Sequence, residues 1–78
     1  MAGQYQLDAK LQARLANDYV YHAPKDGQMQ RYEEIRAKAK ELAVLICTHS
    51  PVSREQSVAL TELDHVVMMT NAAIARNE

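Results

Sequence analysis

Tryptophan and phenylalanine are absent, cysteine occurs once, and glycine and proline occur twice each. Each shortage excludes something. With Cys47 as the lone thiol there is no internal disulfide, so the fold cannot be stapled that way and a reducing environment fits. Charge of either sign is not in excess, with nine basic residues against ten acidic ones. A general polyanion binder carries a net basic balance, so binding to a DNA or RNA polymer is not expected and any anion site must be local. Long apolar runs are also missing. The opening MAGQYQLDAK has no core of signal-peptide length, and no segment reaches the roughly twenty apolar residues of a membrane span, so a cytoplasmic location is expected. All aromatic roles fall to four tyrosines.

Glycine and proline are missing from residues 53–77 altogether, which makes this the longest uninterrupted stretch with helical periodicity. Leu60, Leu63, Val67, Thr70 and Ile74 recur at spacings of three and four, flanked by Ala59, Val66 and Ala73. Ser53 and Gln56 have the spacing of a capping box, which marks the start. At 1.5 Å per residue such a helix runs roughly 36 Å, longer than a compact fold of this size needs. Seventy-eight residues make one domain, and a chain that short buries only about 60–65 per cent of its unfolded surface. Without a disulfide, self-association is the remaining way to complete a core.

The segment 1–18 holds a short helix from Gln6 to about Asn17, because Leu7, Leu11 and Leu15 repeat every four residues. Alone it is marginal, so it must lie on the rest of the chain or on another protomer. The connector 19–27 reads YVYHAPKDG; Pro24 holds Ala23 extended, and Asp26 is placed to cap the next helix. Residues 28–48 form the second helix, with Tyr32, Ile35, Ala39, Leu42 and Ile46 in heptad-like spacing. Its other face carries Arg31, Glu34, Lys38 and Glu41. A short break around Pro51 leaves the helices at 28–48 and 53–77 as antiparallel neighbours. In that register Leu42 faces Leu60, Ala39 faces Leu63 and Ile35 faces Val67. The fold class is therefore all-α: a short N-terminal helix and a long antiparallel helical hairpin. Val44, Met68 and Met69 stay apolar outside the pair, which predicts an oligomer whose backbones approach closely at Ala72, Ala73 and Ala75.

Catalytic chemistry finds little support. A nucleophile needs a base within reach and that base an orienting group, whereas His22, His49 and His65 are scattered over connector, hairpin tip and last helix. Cys47 and His49 are two apart, but a structural zinc site takes four ligands and no second pair is near, so no metal is expected. No cofactor is implied. Met68 and Met69 read as core or oligomer contacts. The basic residues speak by position: Lys25 in the connector, Arg36 in the helix that follows, Arg54 and Arg76 at the two ends of the last helix. Ordinary surface roles suffice for all four. Three tyrosines cluster between Tyr19 and Tyr32 around Lys25 and Arg31. A tyrosine offers a face for a base and a guanidinium a fork for phosphate, although on the residues alone core anchoring is the favoured role for the rings.

Two longer stretches, YHAPKDGQMQRYEEIRAKAKELAVLI and PVSREQSVALTELDHVVMMTNAAIARNE, resemble the helical-hairpin domain of phage-encoded cyclic-nucleotide sponges, the anti-CBASS and anti-Thoeris proteins. The resemblance covers about 19–78. It implies a small helical protein, assembled typically as a hexamer, that sequesters bacterial cyclic nucleotide signals without cleaving them. It implies further that an aromatic residue ahead of the first long helix stacks on a base of a cyclic dinucleotide held between protomers, and that a basic residue in that helix engages phosphate. The matching positions are Tyr21 in YHAPK and Arg36 in EEIRAKA, with Lys25 beside them; the family often has Lys where Arg36 stands. Cyclic trinucleotides are taken at separate sites where three protomers meet, for which Arg76 in NAAIARN is the candidate. The rival expectation is a small phage structural or adaptor protein whose hairpin serves assembly only. Convergence of Tyr21, Lys25 and Arg36 on one cavity between protomers separates the two, since an adaptor would leave them scattered and hydrated.

Overall fold

A computed structural model describes residues 3–78; the first two residues of the expected 1–18 segment lie outside the described residues. Three helices follow one another, α1 (Ala9–Asp18), α2 (Gln28–His49) and α3 (Arg54–Asn77), with no strand among the described residues. The chain is all-α, as its periodicities predict.

Each helix begins where a local hydrogen bond makes it begin. The start of α1 is at Ala9 rather than Gln6, because Asp8 has extended backbone angles and its Oδ1 accepts the Leu11 N–H at 2.7 Å. A carboxylate at this position satisfies an amide that the helix leaves free, so Leu7 falls outside the helix. The start of α2 differs from expectation in its cap. Gly27, not Asp26, occupies the N-cap with φ 81°, and no side chain caps it. That backbone conformation suits glycine and leaves Asp26 one step too early to cap. Instead Gln28 reaches backward, its Oε1 accepting the Lys25 N–H at 2.9 Å.

The α3 start shows half of the expected capping box. Ser53 Oγ accepts the Gln56 N–H at 3.1 Å. The Gln56 side chain does not return to Ser53; its Nε2 donates to the Ser50 carbonyl at 3.0 Å and Ser50 Oγ at 3.1 Å. Ser50 Oγ in turn donates to the Ile46 carbonyl at 2.5 Å. The last turn of α2 is thereby tied to the first turn of α3, closing the hairpin tip with polar groups the short connection would otherwise leave unpaired.

The two long helices pack along one seam. On α3 the half-buried residues include Leu60, Leu63, Val67, Thr70 and Ile74, the whole expected stripe. On α2 they are Tyr32, Ile35, Ala39, Ala43 and Ile46. Leu42 therefore does not face Leu60 from inside the seam. It stays 47 % exposed on the flank, sharing a groove with Leu63, Val66 and Val67, while the smaller Ala43 turns inward. An alanine four residues after Ala39 lets the helix axes approach where a leucine would hold them apart.

Two helices alone do not make a core. Among the described residues no apolar side chain is fully buried, and Val44, Val66 and Met69 remain 52, 58 and 64 % exposed. The radius of gyration is 17.4 Å, against roughly 11–12 Å for a compact chain of this length. With extents of 49 × 37 × 17 Å the molecule is elongated and flat. No helix among the described residues is long and apolar enough to cross a membrane.

Candidate functional site

The open end of the hairpin is where chemistry-bearing residues gather, and the connector is what brings them there. Leaving α1, the chain is fixed to α3 by two polar contacts. Asn17 Nδ2 donates to the Arg76 carbonyl at 3.0 Å, and Arg76 Nε lies 3.6 Å from Asp18 Oδ1. The His22 ring then meets the Asn17 carbonyl at 2.7 Å, folding the connector back over the end of α1. These bonds run Val20 and Tyr21 across the hairpin end.

At the far end of the connector a second cluster holds the chain down. Gln28 is 3 % exposed, the one buried polar residue among those described. Its Nε2 donates to Glu78 Oε1 at 3.0 Å. Arg31 donates to the same carboxylate through both terminal nitrogens, at 2.7 and 2.5 Å, and the Lys25 ammonium binds the Glu78 carbonyl. The Arg31 fork and then Gln28 hold the Glu78 carboxyl down to about 2, and the same bond raises Arg31. Nothing in the sequence pattern announces this cluster, because its members are separated by nearly the whole hairpin.

Between the two clusters lies an open groove of about 440 Å3. Tyr21 and His22 of the connector form one wall, Tyr32 and Arg36 of α2 another. The floor is α3, through Asn71, Ala72, Ala75 and Arg76. The alanines leave the space empty; larger side chains there would fill it. Tyr21 is 83 % exposed, so its ring is free to be covered by something flat. Among the described residues Arg36 makes no ion pair, whereas Arg76 is shared with Asp18. A groove with a bare aromatic face and two guanidinium groups can accept a base and an anionic group together.

Of the four residues singled out from sequence, Tyr21, Arg36 and Arg76 therefore line one groove. Lys25 does not line it; its ammonium points to Glu78 instead. Arg76 was expected at a separate site, and in the single chain it shares this one. Asn71 and Tyr32 were not singled out. Tyr32 was read as core, and it is half-buried at the groove edge. Asn71 interrupts an apolar stripe, which is the signal that could have found it. Elsewhere no three His, Cys, Asp or Glu side chains among the described residues gather so as to hold a metal ion, and Cys47 is exposed.

A family model described as the Acb2/Tad1 hairpin domain matches residues 11–75, which takes in all but the first two residues of α1, the connector, α2 and all but the last residues of α3, and so begins within α1 rather than at the expected residue 19. No curated protein and no solved structure matches the chain.

Proposed function

The chain belongs to the Acb2/Tad1 hairpin family, the anti-CBASS and anti-Thoeris sponges, and on that premise we propose that it sequesters cyclic dinucleotides between paired protomers without cleaving them. The observation that carries the reading is the shared groove, where Tyr21, Arg36 and Arg76 come together on three different elements. Tyr21 stacks on a base and Arg36 takes a phosphate. An adaptor that served only assembly would have no need to bring Tyr21 and Arg36 together; Lys25, expected with them, stands apart at Glu78.

Symmetry makes so small a site sufficient. A cyclic dinucleotide has two bases, two phosphates and an approximate two-fold axis, so an isologous pair of protomers presents every contact twice. Stacking contributes about 1–3 kcal/mol per base and a charge-assisted bond about 1.5–3 kcal/mol. Doubled, these two contacts give roughly 5–12 kcal/mol, while a nanomolar complex needs about 12 after association costs of several kcal/mol. Tyr21 and Arg36 thus come close but need help, which Arg76 and other groove residues supply. Lys25 contributes to the ligand only by exchanging the Glu78 carbonyl for a phosphate.

The same reading makes the protein a homo-oligomer, with a hexamer as the family's typical form. The exposed Val44, Val66 and Met69 then lie between protomers, and α1, held to α3 in the single chain through Asn17 and Asp18, packs its remaining length on a neighbour. Cyclic trinucleotides would enter where three protomers bring their Arg76 side chains together. Its working place is the cytoplasm of the infected bacterium, where such signals are made.

The test is to load the protein with cyclic di-AMP, cyclic di-GMP or cyclic tri-AMP, remove free ligand, denature by heat and identify what is released. Intact cyclic nucleotide is the expected product. A linear product, or no retained nucleotide from any of the three, would overturn the reading.

A further inference from the structure

Asp18 is the last residue of α1, where an acidic side chain meets the partial negative charge of the helix's closing carbonyls. The placement is unfavourable for the helix and is offset by two cations. One carboxylate oxygen, Oδ2, lies 3.4 Å from Arg14 Nε one turn back, and the other, Oδ1, lies 3.6 Å from Arg76 Nε near the end of α3. The Asp18 side chain is 16 % exposed, so its carboxylate is largely covered. Beside it, Asn17 Nδ2 donates to the Arg76 carbonyl at 3.0 Å. The end of α1 therefore holds Arg76 at two points, through its backbone and through Nε. Arg76 also lines the groove with Tyr21 and Arg36, and its terminal nitrogens make no hydrogen bond among the described residues. A guanidinium approached at Nε keeps its Nη1–Nη2 edge, the pair of donors that matches two oxygens of a phosphate.

We propose that Asp18 is a positioning residue: by holding Arg76 at Nε it presents the Nη1–Nη2 edge to a phosphate of the ligand in the groove. This rests on the cyclic-dinucleotide reading of the groove. Arg36 reaches the groove from α2 with no ion pair among the described residues, so it gives up its side-chain freedom only when ligand arrives. Arg76 has given up much of that freedom beforehand, and a group ordered in advance binds at a smaller entropic cost. Its charge is not cancelled in return, because Asp18 is shared with Arg14 and the three side chains together keep one positive charge. In this way α1 takes part in binding although none of its residues lines the groove.

The sign of the effect separates positioning from charge. Were Asp18 only a negative charge beside an anion site, its removal would relieve repulsion and tighten binding; a positioning role predicts weaker binding instead. Asp18 also helps to anchor the connector, so a loss in Asp18→Ala alone does not single out Arg76. A double-mutant cycle does. The full chain and its Asp18→Ala, Arg76→Ala and doubly substituted variants are titrated by calorimetry with cyclic di-AMP and cyclic di-GMP. For the ligand that the unsubstituted protein binds more tightly, Asp18→Ala should weaken binding by roughly fivefold or more, and Arg76→Ala by at least as much. The double variant should bind as Arg76→Ala does, since Asp18 then has no guanidinium to aim. A loss from Asp18→Ala that persists in the Arg76→Ala background, whether from a displaced connector or a failed fold, would overturn the positioning role. So would a gain in Asp18→Ala, or unchanged affinity in either single variant. Each of these results leaves the groove assignment standing, whereas failure of the unsubstituted protein to bind either ligand would overturn both.

Discussion

Arg31 grips the carboxylate of Glu78 with both terminal nitrogens, forty-seven positions apart in the chain, and so clamps the end of α3 to the first turns of α2. The pair matters for its place more than its strength. Both side chains are partly exposed, where salt screens such contacts and net contributions are small. Yet Gln28 joins the same carboxylate from a buried position, and Lys25 ties the connector to the Glu78 backbone. The Tyr21 wall of the groove is thereby anchored at both ends, by this cluster and by the Asn17, Asp18 and His22 contacts near α1.

The clamp should respond to acid in a defined direction. The Glu78 carboxyl is lowered from 4.5 to about 2 by Arg31 and then Gln28, so its stabilising effect is complete above pH 4.5. It is lost as the pH falls from there through about 2. Melting curves of the wild type and Glu78→Gln should therefore differ by a constant amount above pH 5 and converge toward pH 2. A difference that ignores pH would mean the carboxylate is not held this way.

Assembly is the next expectation, and its reason is the missing core. No apolar side chain among the described residues is fully buried, and Val44, Val66 and Met69 are more than half exposed. A monomer in that state is too thin to hold the 5–15 kcal/mol of an ordinary domain. Sedimentation at micromolar concentration should show nothing near 8.8 kDa. A stable folded monomer would contradict the proposed oligomer.

Within the hairpin, Leu63 lies in the seam and borders the grooves on both its sides. Leu63→Asp places an unpaired carboxylate there, at a cost of about 3 kcal/mol or more against a marginal fold. Helical circular dichroism should collapse in this variant at room temperature. Retention of the wild-type spectrum and Tm would show that the seam is not what holds α2 to α3.

The fold was largely legible because its signals are local and periodic. The 3–4 spacing of Leu60, Leu63, Val67, Thr70 and Ile74 marks one face of α3, and the structure half-buries all five. Where structure and expectation differ, tertiary geometry decided between two adjacent residues. Leu42 and Ala43 are adjacent candidates for the seam, and hydrophobicity favours the leucine while close approach of the helices favours the alanine. Asp26 and Gly27 are adjacent candidates for a cap, decided by a positive φ that sequence does not display. The groove was legible only in pieces. Tyr21 and Arg36 stood out only through the family resemblance, and their meeting with Asn71 and Arg76 depends on how the connector crosses the hairpin end, which no periodicity encodes. The clamp on Glu78 was not legible, since residues brought together by antiparallel helices leave no pattern within either helix.

Affinity measured in three alanine variants at constant assembly state tests the sponge account most directly. Titration of cyclic dinucleotide by calorimetry, with molecular mass followed by light scattering, should show Tyr21→Ala and Arg36→Ala losing roughly 2–6 kcal/mol each, about thirtyfold and upward, because every contact is made twice per ligand. Lys25→Ala, whose ammonium is engaged with Glu78, should lose less than about tenfold. The mass should not change in any of them. Undiminished affinity in both Tyr21→Ala and Arg36→Ala would contradict the account, because the ligand would then have to sit somewhere other than the groove these two residues share.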